Sequence, residues 1–515
     1  MPARGSYGGR VRRWLPLMTI CLGTFMLLVD VTIVNVALPR MVVDLHASFG
    51  ALQWVVDAYA LALAALLLGV GAIADLVGHR RAYVAGLAVF ALSSFVCGIA
   101  PGSTTLVAAR AVQGVGAAAM FATTFALLNS SYAGRDRGTA FGIWGAVAGA
   151  SAAIGPVVGG LLTEGASWRW IFFVNLPASV LAIALCVFVL TDVHETIRRR
   201  VDVPGMLAFS GAAAAATYAL IRANEAGWSN ALTWWMLALA GALLAAFVWT
   251  EARSPHPLLD LALLRQRSFV GVLAAGLLLP FAAFAAFTYT SIWLQSVLGM
   301  SPVQAGLTGI PMSAMAFVVA ATVSRHLHGM RADRVIGGGL VLIGLGGVVG
   351  AVLVHGSARW QALVPGYLLI GIGVGVATPI LGSVAMSIVP PQRGGMAAGA
   401  VNTMRQLGFA FGIAALGSVF AARAQSSLSA RDATDAAHTA RAVAGGQAPA
   451  LLAAAPAGAR HALDGAVHAA AVSGVRGAFA ISGAVGLAAA VLVLVLMRPA
   501  AVPAEAAERA ERAVV

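Results

Sequence analysis

Residues 14–39 read WLPLMTICLGTFMLLVDVTIVNVALP. Crossing a bilayer as a helix takes about 20 predominantly apolar residues, and this run is long and apolar enough, yet it carries one carboxylate, Asp30, and one amide, Asn35. An ionised Asp at the bilayer centre costs about 2.5–3.5 kcal/mol on insertion scales, so such residues face a cavity or a partner. Asp30 is therefore read as a proton or cation site. The alternative is an Asp at a helix end shortly before Pro39, held by a cap or by an Arg.

The rest of the chain sets the context for that choice. Of 515 residues, 60% are hydrophobic and 10% charged, which excludes a soluble multidomain protein. Apolar runs of about 20 residues recur along the whole length, a pattern for spanning helices and not for a barrel of short alternating strands. Fourteen spans follow, at 15–38, 51–73, 82–100, 104–128, 138–162, 170–190, 204–222, 232–250, 269–294, 302–324, 334–355, 361–388, 396–422 and 474–497.

The net charge of +13 does not mark a nucleic-acid binder, because the basic residues fall in short segments between apolar runs. All 32 are Arg, which reads as composition bias. They concentrate on the side that is cytoplasmic when the N-terminus is inside, from Arg4, Arg10, Arg12 and Arg13 to the run Arg198–Arg200. The first apolar run is too long for a signal peptide and is expected to be retained as a helix. Trp168, Trp170, Trp228, Trp234 and Trp235 near span ends are expected to form an interfacial aromatic belt. Cys21, Cys97 and Cys186 lie in three separate runs and make neither a disulfide framework nor a metal spacing.

The chain also repeats itself weakly. Gln113-Gly114-Val115-Gly116 is echoed by Ile370-Gly371-Ile372-Gly373, and Arg137-Gly138 by Arg393-Gly394, at intervals that agree to within one residue. Two six-helix halves separated by an extra helix pair produce that interval, and repeated halves are how many secondary transporters are built. The fold expected is an all-α polytopic membrane protein. Its parts are a cytoplasmic N-terminus at 1–14, a first six-helix bundle at 15–190, two inserted linker helices at 204–250 and a second six-helix bundle at 269–497. The second bundle contains a long, partly ordered or helical extracytoplasmic loop at 423–473, and a cytoplasmic tail follows at 498–515.

Several stretches carry chemistry. Gly71-Ala72-Ile73-Ala74-Asp75-Leu76-Val77-Gly78-His79-Arg80-Arg81 joins the second and third spans. Gly78 suits a tight turn, and Asp75 at a helix end can pair across that face of the protein. Arg110, inside the fourth span within Arg110-Ala111-Val112-Gln113-Gly114-Val115-Gly116, must be paired or hydrated. Asp30 is its obvious counter-charge if the first and fourth helices pack, which would tie that charge to conformation; snorkelling to an interface is the alternative. The fifth span reads Gly145-Ala146-Val147-Ala148-Gly149 and then Gly155-Pro156-Val157-Val158-Gly159-Gly160, where small residues permit close helix approach and Pro156 a bend, as in a rocking seam.

Together these stretches resemble the major facilitator superfamily. The loop from Gly71 to Arg81 is similar to its cytoplasmic loop motif, departing at Leu76 and His79; the Arg110 stretch is similar to its intramembrane Arg motif. The fifth span is similar to its antiporter motif, with Ser151 in place of the usual first Gly. Residues Leu28–Pro39, Trp54–Tyr59, Trp168–Pro177 and the run Asn402-Thr403-Met404-Arg405-Gln406-Leu407-Gly408 look like the fourteen-span drug:proton antiporter branch.

The resemblance implies a major facilitator fold and a proton-coupled antiporter that exports hydrophobic, cationic or zwitterionic drugs by alternating access. A dedicated exporter of one natural product or metabolite with the same mechanism is the first alternative, and a membrane-embedded enzyme or receptor, which would need His, Asp or Glu clusters at catalytic or metal spacing within the spans, is the second. The resemblance implies proton-coupling roles for Asp30, Arg110 and Asp57, although Asp57 also reads as a capping or first-turn charge. The conformational motif is Gly71, Asp75, Gly78, Arg80, Arg81, Gly155, Pro156, Gly159 and Gly160, with Asn402, Arg405 and Gln406 as further candidates in the thirteenth helix. No phosphate-binding loop is legible, so an ion gradient must supply the energy. Neither enzymatic activity, cofactor, metal nor nucleic acid is expected. The partners expected are small-molecule drugs or natural products, protons and the lipid bilayer. The expected setting is a monomer in the cytoplasmic (inner) membrane of a bacterium, with both termini cytoplasmic. Phe281, Phe284, Phe287, Tyr289 and Trp293 could line a pocket, face lipid or belong to the core.

Overall fold

In the computed structural model the residues described are 6–45, 49–190, 202–226, 228–255, 257, 259–322, 330–356, 358–389, 394–431, 435–456 and 458–497. Expectations for Arg198–Arg200, Arg393 and the tail after 497 fall outside them, as do the side chains of Asn35 and Pro156. Every regular element among the described residues is helical.

Six helices make the first half: α1 (Ser6–Asp44), α2 (Phe49–Val77), α3 (His79–Gly98), α4 (Ser103–Ser131), α5 (Gly134–Gly165) and α6 (Asn175–Val189), the last preceded by a single turn at Trp170–Phe173. Two follow as a hairpin, α7 (Val203–Ala226) and α8 (Ala231–Glu251). Six make the second half: α9 (Arg267–Ile292), α10 (Ile310–Thr322), α11 (Ala332–Leu353), α12 (Val364–Ile388), α13 (Gly394–Ser429) and α14 (Arg460–Leu496). Thirteen helices among the described residues are long and apolar enough to cross a membrane. The 32-residue α5 is the fourteenth of that length.

Within the first half α1 packs on α5, α2 and α3 on α4, and α3 on α6; within the second, α9 packs on α13, α10 and α11 on α12, and α11 on α14. The bundles meet where α5 touches α10 and α12 and where α13 touches α2 and α4. The α7–α8 hairpin lies against α2 and α13. Outward residues such as Phe188, Trp235, Leu244 and Trp249 are exposed, as an outer surface solvated by lipid requires.

The glycine echo is structural. Gly114 of α4 lies against α2, where an added Cβ would come 2.6 Å from the Tyr59 carbonyl oxygen, and Gly116 lies against Gly86 and Phe90 of α3. In the second half Gly371 of α12 lies against Met312 and Met315 of α10, and Gly373 against Gly339 and Ile343 of α11. So α10 and α11 stand to α12 as α2 and α3 stand to α4. In each half, absent side chains let helices approach until backbones touch.

Two expectations are corrected. Pro39 does not end the first helix, which continues to Asp44; neighbouring helices can re-satisfy the backbone that a Pro frees at membrane depth. The segment 423–473 takes the helical of its two expected forms: α13 continues to Ser429, α14 starts at Arg460, and short helices occupy Ala436–Ala444 and Ala448–Ala454. Alanine, the best helix former, dominates there. Trp168 is not a belt residue, for it is 1% exposed and donates from Nε1 to Asp44 Oδ2 at 2.8 Å. Trp170, Trp234 and Trp235 are exposed as a belt requires.

Local signals are obeyed at the start of the tenth span. Ser301 Oγ accepts from Gln304 N, Gln304 Oε1 accepts from Ser301 N, and Pro302 opens a short helix at Pro302–Leu307 that leads into α10. That reciprocal arrangement satisfies two amide groups that a helix start leaves unpaired.

Candidate functional site

Asp30 lies in the middle of α1, 1% exposed. Its carboxylate accepts three hydrogen bonds: Oδ2 from Arg110 Nη1 at 2.5 Å, and Oδ1 from Gln113 Nε2 at 3.1 Å and Asn175 Nδ2 at 3.0 Å. Arg110 also donates from Nε to the Val55 carbonyl at 2.9 Å and from Nη1 to Gln113 Oε1 at 2.7 Å. Its guanidinium carbon stands 4.2 Å from the Tyr59 ring centroid. Ser94 Oγ accepts from Gln113 and from Asn175 and donates to the Phe172 carbonyl at 3.0 Å.

Five helices thus place side chains around one ion pair: α1 through Asp30, α2 through Tyr59, α3 through Ser94, α4 through Arg110 and Gln113, and α6 through Asn175. Removing two charges from water costs several kcal/mol per ion, recovered only when geometry and remaining hydrogen bonds are good. Here the carboxylate has donors on both oxygens. One imperfection remains: Arg110 Nη2 and the Tyr59 hydroxyl are sealed from solvent with no hydrogen-bond partner among the described residues. A buried guanidinium nitrogen left unpaired stores free energy that a rearrangement can release.

The geometry decides between the sequence readings. Asp30 is far from either end of α1, so it is not a helix-end carboxylate. Arg110 lies two turns into α4 and is 0% exposed, so it does not snorkel. Asp57 lies in the third turn of α2, past the positions where a first-turn charge acts. It is half-buried and is not among the partners of Asp30, although Val55 and Tyr59 beside it touch Arg110.

Gln113, Asn175, Ser94 and Tyr59 were given no role from sequence. Gln113 could have been found, because it sits three residues after Arg110 and shares its helix face. Asn175 and Tyr59 lie inside quoted stretches with no rule to single them out, and Ser94 had no signal.

The α2–α3 loop joins the two bundles. The chain turns at Gly78 with φ 97°, a conformation open to glycine. Asp75 Oδ2 accepts from the Met396 backbone N–H at 3.1 Å, and Oδ1 lies 3.4 Å from His79 Nε2. A carboxylate of the first bundle therefore sits on the N-terminus of α13 in the second, where unpaired N–H groups and the helix dipole favour negative charge. Arg80 donates to the Val187 carbonyl near the end of α6 at 2.8 Å; Arg81 is exposed and Gly71 buried. In α13, Asn402 Nδ2 donates to the Phe121 carbonyl of α4 at 3.0 Å. Arg405 lies over the rings of Phe121 and Trp144, and Gln406 is half-buried beside it.

The seam in α5 differs from the expectation. Gly155 lies against Thr32 and Val29, and Gly159 against Ile33, so both seat α5 on α1 within one bundle; Gly145 and Gly160 instead face Pro379 and Val303 of the other. The Ser151 hydroxyl turns back to the Val147 carbonyl of its own helix at 2.7 Å. Gly159→Leu is expected to lower transport at least about tenfold with the protein still in the membrane, because a large side chain there displaces α1 one turn from Asp30. Gly165→Leu is the control, since a Cβ at Gly165 meets nothing within 4 Å. Equal transport by both variants in proteoliposomes would show that the α1–α5 contact does not set the geometry of the Asp30 site.

Of the aromatic candidates, Tyr289 and Trp293 are core residues, with the Tyr289 hydroxyl on the Ile413 carbonyl at 2.6 Å. Phe281 lines an apolar groove of about 300 Å³ with Leu220, Trp228, Leu277 and Phe411, between α7, α9 and α13.

Comparison with known proteins agrees with this architecture. The sequence profile of the Major Facilitator Superfamily matches residues 20–413. The chain is 39% identical over 415 residues, 79% of its length and 76% of the relative's, to "Multidrug resistance protein Stp" of Mycobacterium tuberculosis. It is 32% identical over 514 residues, 96% of its length and 93% of the relative's, to "Tetracenomycin C resistance and export protein" of Streptomyces glaucescens. It is 36% identical over 414 residues, 79% and 82% of the two lengths, to "Puromycin resistance protein pur8" of Streptomyces alboniger. Among solved structures, the human organic anion transporter MFSD10 superposes with a TM-score of 0.59 over 93% of this chain and 99% of that one. At 14% identity that likeness shows the fold alone.

Proposed function

The chain belongs to the major facilitator superfamily, and from that premise we propose that it is a proton-coupled antiporter exporting hydrophobic drugs or antibiotics by alternating access between its two six-helix bundles. The observation that carries this reading is the buried Asp30–Arg110 pair held by side chains from five helices. Protonating Asp30 removes the negative charge from Arg110 and an acceptor from Gln113 and Asn175. Those donors must then find other partners, and the helices that carry them shift together. One proton is thereby linked to the packing of the whole first bundle, which is the differential interaction that a two-state transporter needs.

The second part of the cycle is the contact between Asp75 and α13. It bridges the bundles at one end through a part-buried hydrogen bond from the Met396 N–H and a helix dipole, worth roughly 0.3–2 kcal/mol, so it can form and break in each cycle. In this reading the α2–α3 loop and both termini are cytoplasmic, the protein works as a monomer in a bacterial inner membrane, and no chemical step is catalysed. The names of the relatives, which speak of multidrug resistance, puromycin resistance and tetracenomycin C export, support drugs or antibiotics as cargo. The relative matched over nearly the whole chain is named for a single compound, which supports a dedicated natural-product exporter as the second reading.

The test uses purified protein in liposomes with an acidic lumen and trapped pyranine, offered puromycin, ethidium and tetracycline in turn. Accumulation of a probe with matching proton loss, abolished by an ionophore that collapses the gradient, is expected. Accumulation that is unchanged without a pH gradient would overturn proton coupling. Transport of several probes favours the broad exporter, and transport of one favours the dedicated exporter.

A further inference from the structure

Arg405 is a cation that the coupling scheme does not use. It sits on α13 of the second bundle, half-buried, and reaches across to the first, where its guanidinium carbon stands 5.7 Å from the Trp144 ring of α5 and 5.9 Å from the Phe121 ring of α4. Trp144 is held in place, 0% exposed, with Nε1 donating to Thr24 Oγ1 of α1 at 3.0 Å. The neighbouring Gly145 faces Pro379 of α12, so α1, α4, α5, α12 and α13 converge here. This is the middle of the surface along which the bundles must part.

Among the described residues Arg405 has no carboxylate, carbonyl or hydroxyl partner. The ion pairs of described residues include Arg13 with Asp136, His79 with Asp75, Arg110 with Asp30, Arg169 with Asp44 and Arg331 with Asp333, none of which involves Arg405. Asp30 is therefore already paired, with Arg110. Asn402, one turn before Arg405, uses its Nδ2 on the Phe121 carbonyl while its Oδ1 is buried and unpartnered. Thr378, beside Pro379, has a buried, unpartnered hydroxyl as well.

A charge at membrane depth needs a partner, and contact with two ring faces compensates a guanidinium only in part. With none supplied by the described residues, an incoming molecule can provide it. A guanidinium has five N–H donors in a planar fork that matches a carboxylate, and the buried rings of Trp144 and Phe121 hold that fork in place. On the basis of the transport reading above, we propose that Arg405 recognises an acidic group on the transported molecule, so that the preferred cargo is an organic anion, or a zwitterion whose acidic end meets Arg405, and not a simple cation.

The test is equilibrium binding by fluorescence anisotropy to the purified full-length protein in nanodiscs. Three dyes on one skeleton serve as probes: fluorescein, a rhodamine with a free carboxylate, and the methyl ester of that rhodamine. The wild type is expected to bind both carboxylate dyes at least about tenfold more tightly than the ester, Arg405→Gln to lose that preference, and Arg405→Lys to keep part of it. A purely structural Arg405 would weaken acid and ester alike, so the acid-to-ester ratio is the deciding readout. If Arg405→Gln does not fold, Arg405→Lys still reads that ratio. Equal binding of acid and ester by the wild type, a preference that survives in Arg405→Gln, or no binding of any dye would overturn the assignment. Gradient-driven export of the ester at rates independent of Arg405 would overturn it too, while leaving the exporter reading in place.

Discussion

Asp30→Asn is expected to reduce pH-gradient-driven transport to background while leaving a folded protein in the membrane. The amide preserves the shape of the side chain and removes the titratable proton. It also has one acceptor oxygen where the carboxylate has two, and both carboxylate oxygens are in use, one by Arg110 and the other by Gln113 and Asn175. However the amide is turned, an N–H group faces a donor. Arg110, 0% exposed, is left without its counter-charge, a loss that costs about 3–5 kcal/mol when a buried pair is broken. A lowered thermal midpoint should therefore accompany the loss of transport. Purified Asp30→Asn that drives probe movement down a pH gradient at wild-type rate would remove Asp30 from the coupling mechanism.

Replacing Arg110 tests the other half of the pair. Arg110→Ala leaves the Asp30 carboxylate buried with only the amides of Gln113 and Asn175 as partners, an uncompensated charge. Transport should fall at least about 100-fold, the scale that a broken buried pair implies. Arg110→Lys should recover only part of this. A single ammonium cannot reproduce the spread of donors with which Nε meets the Val55 carbonyl while Nη1 meets Asp30 and Gln113. Intact transport by Arg110→Ala would make Arg110 a packing residue and leave Asp30 with another partner.

Much of this arrangement was legible before any helix was placed. The Asp30–Arg110 pairing was a conditional expectation, resting on the first and fourth helices packing together, and the folded chain meets that condition. The Gly114–Gly116 echo at Gly371–Gly373 predicted a duplicated helix arrangement, and the same helix neighbours recur in both halves. The polar shell was less accessible. Gln113, Asn175 and Ser94 are ordinary polar residues until folding turns them toward one carboxylate. Trp168 shows the reverse error. Its position at a span end suited an aromatic belt, but the continuation of α1 to Asp44 supplied an acceptor that draws the indole inward.

The sequence by itself determined that this chain crosses a membrane many times, that its halves repeat and that Asp30 and Arg110 need partners. These properties are local or additive: apolar length sets the spans, and the cost of a buried charge is a property of the residue and its depth. Tertiary structure alone decided which groups meet. Arg110 reaches Asp30 across 80 residues of chain, Asn175 reaches it across 145, and Asp75 reaches Met396 across 321. It alone turned Gly155 and Gly159 toward α1 while Gly145 and Gly160 face the other bundle. Residues on one helix that differ by a turn or less in height can face different neighbours, and no count along the chain says where those neighbours stand until the helices have packed.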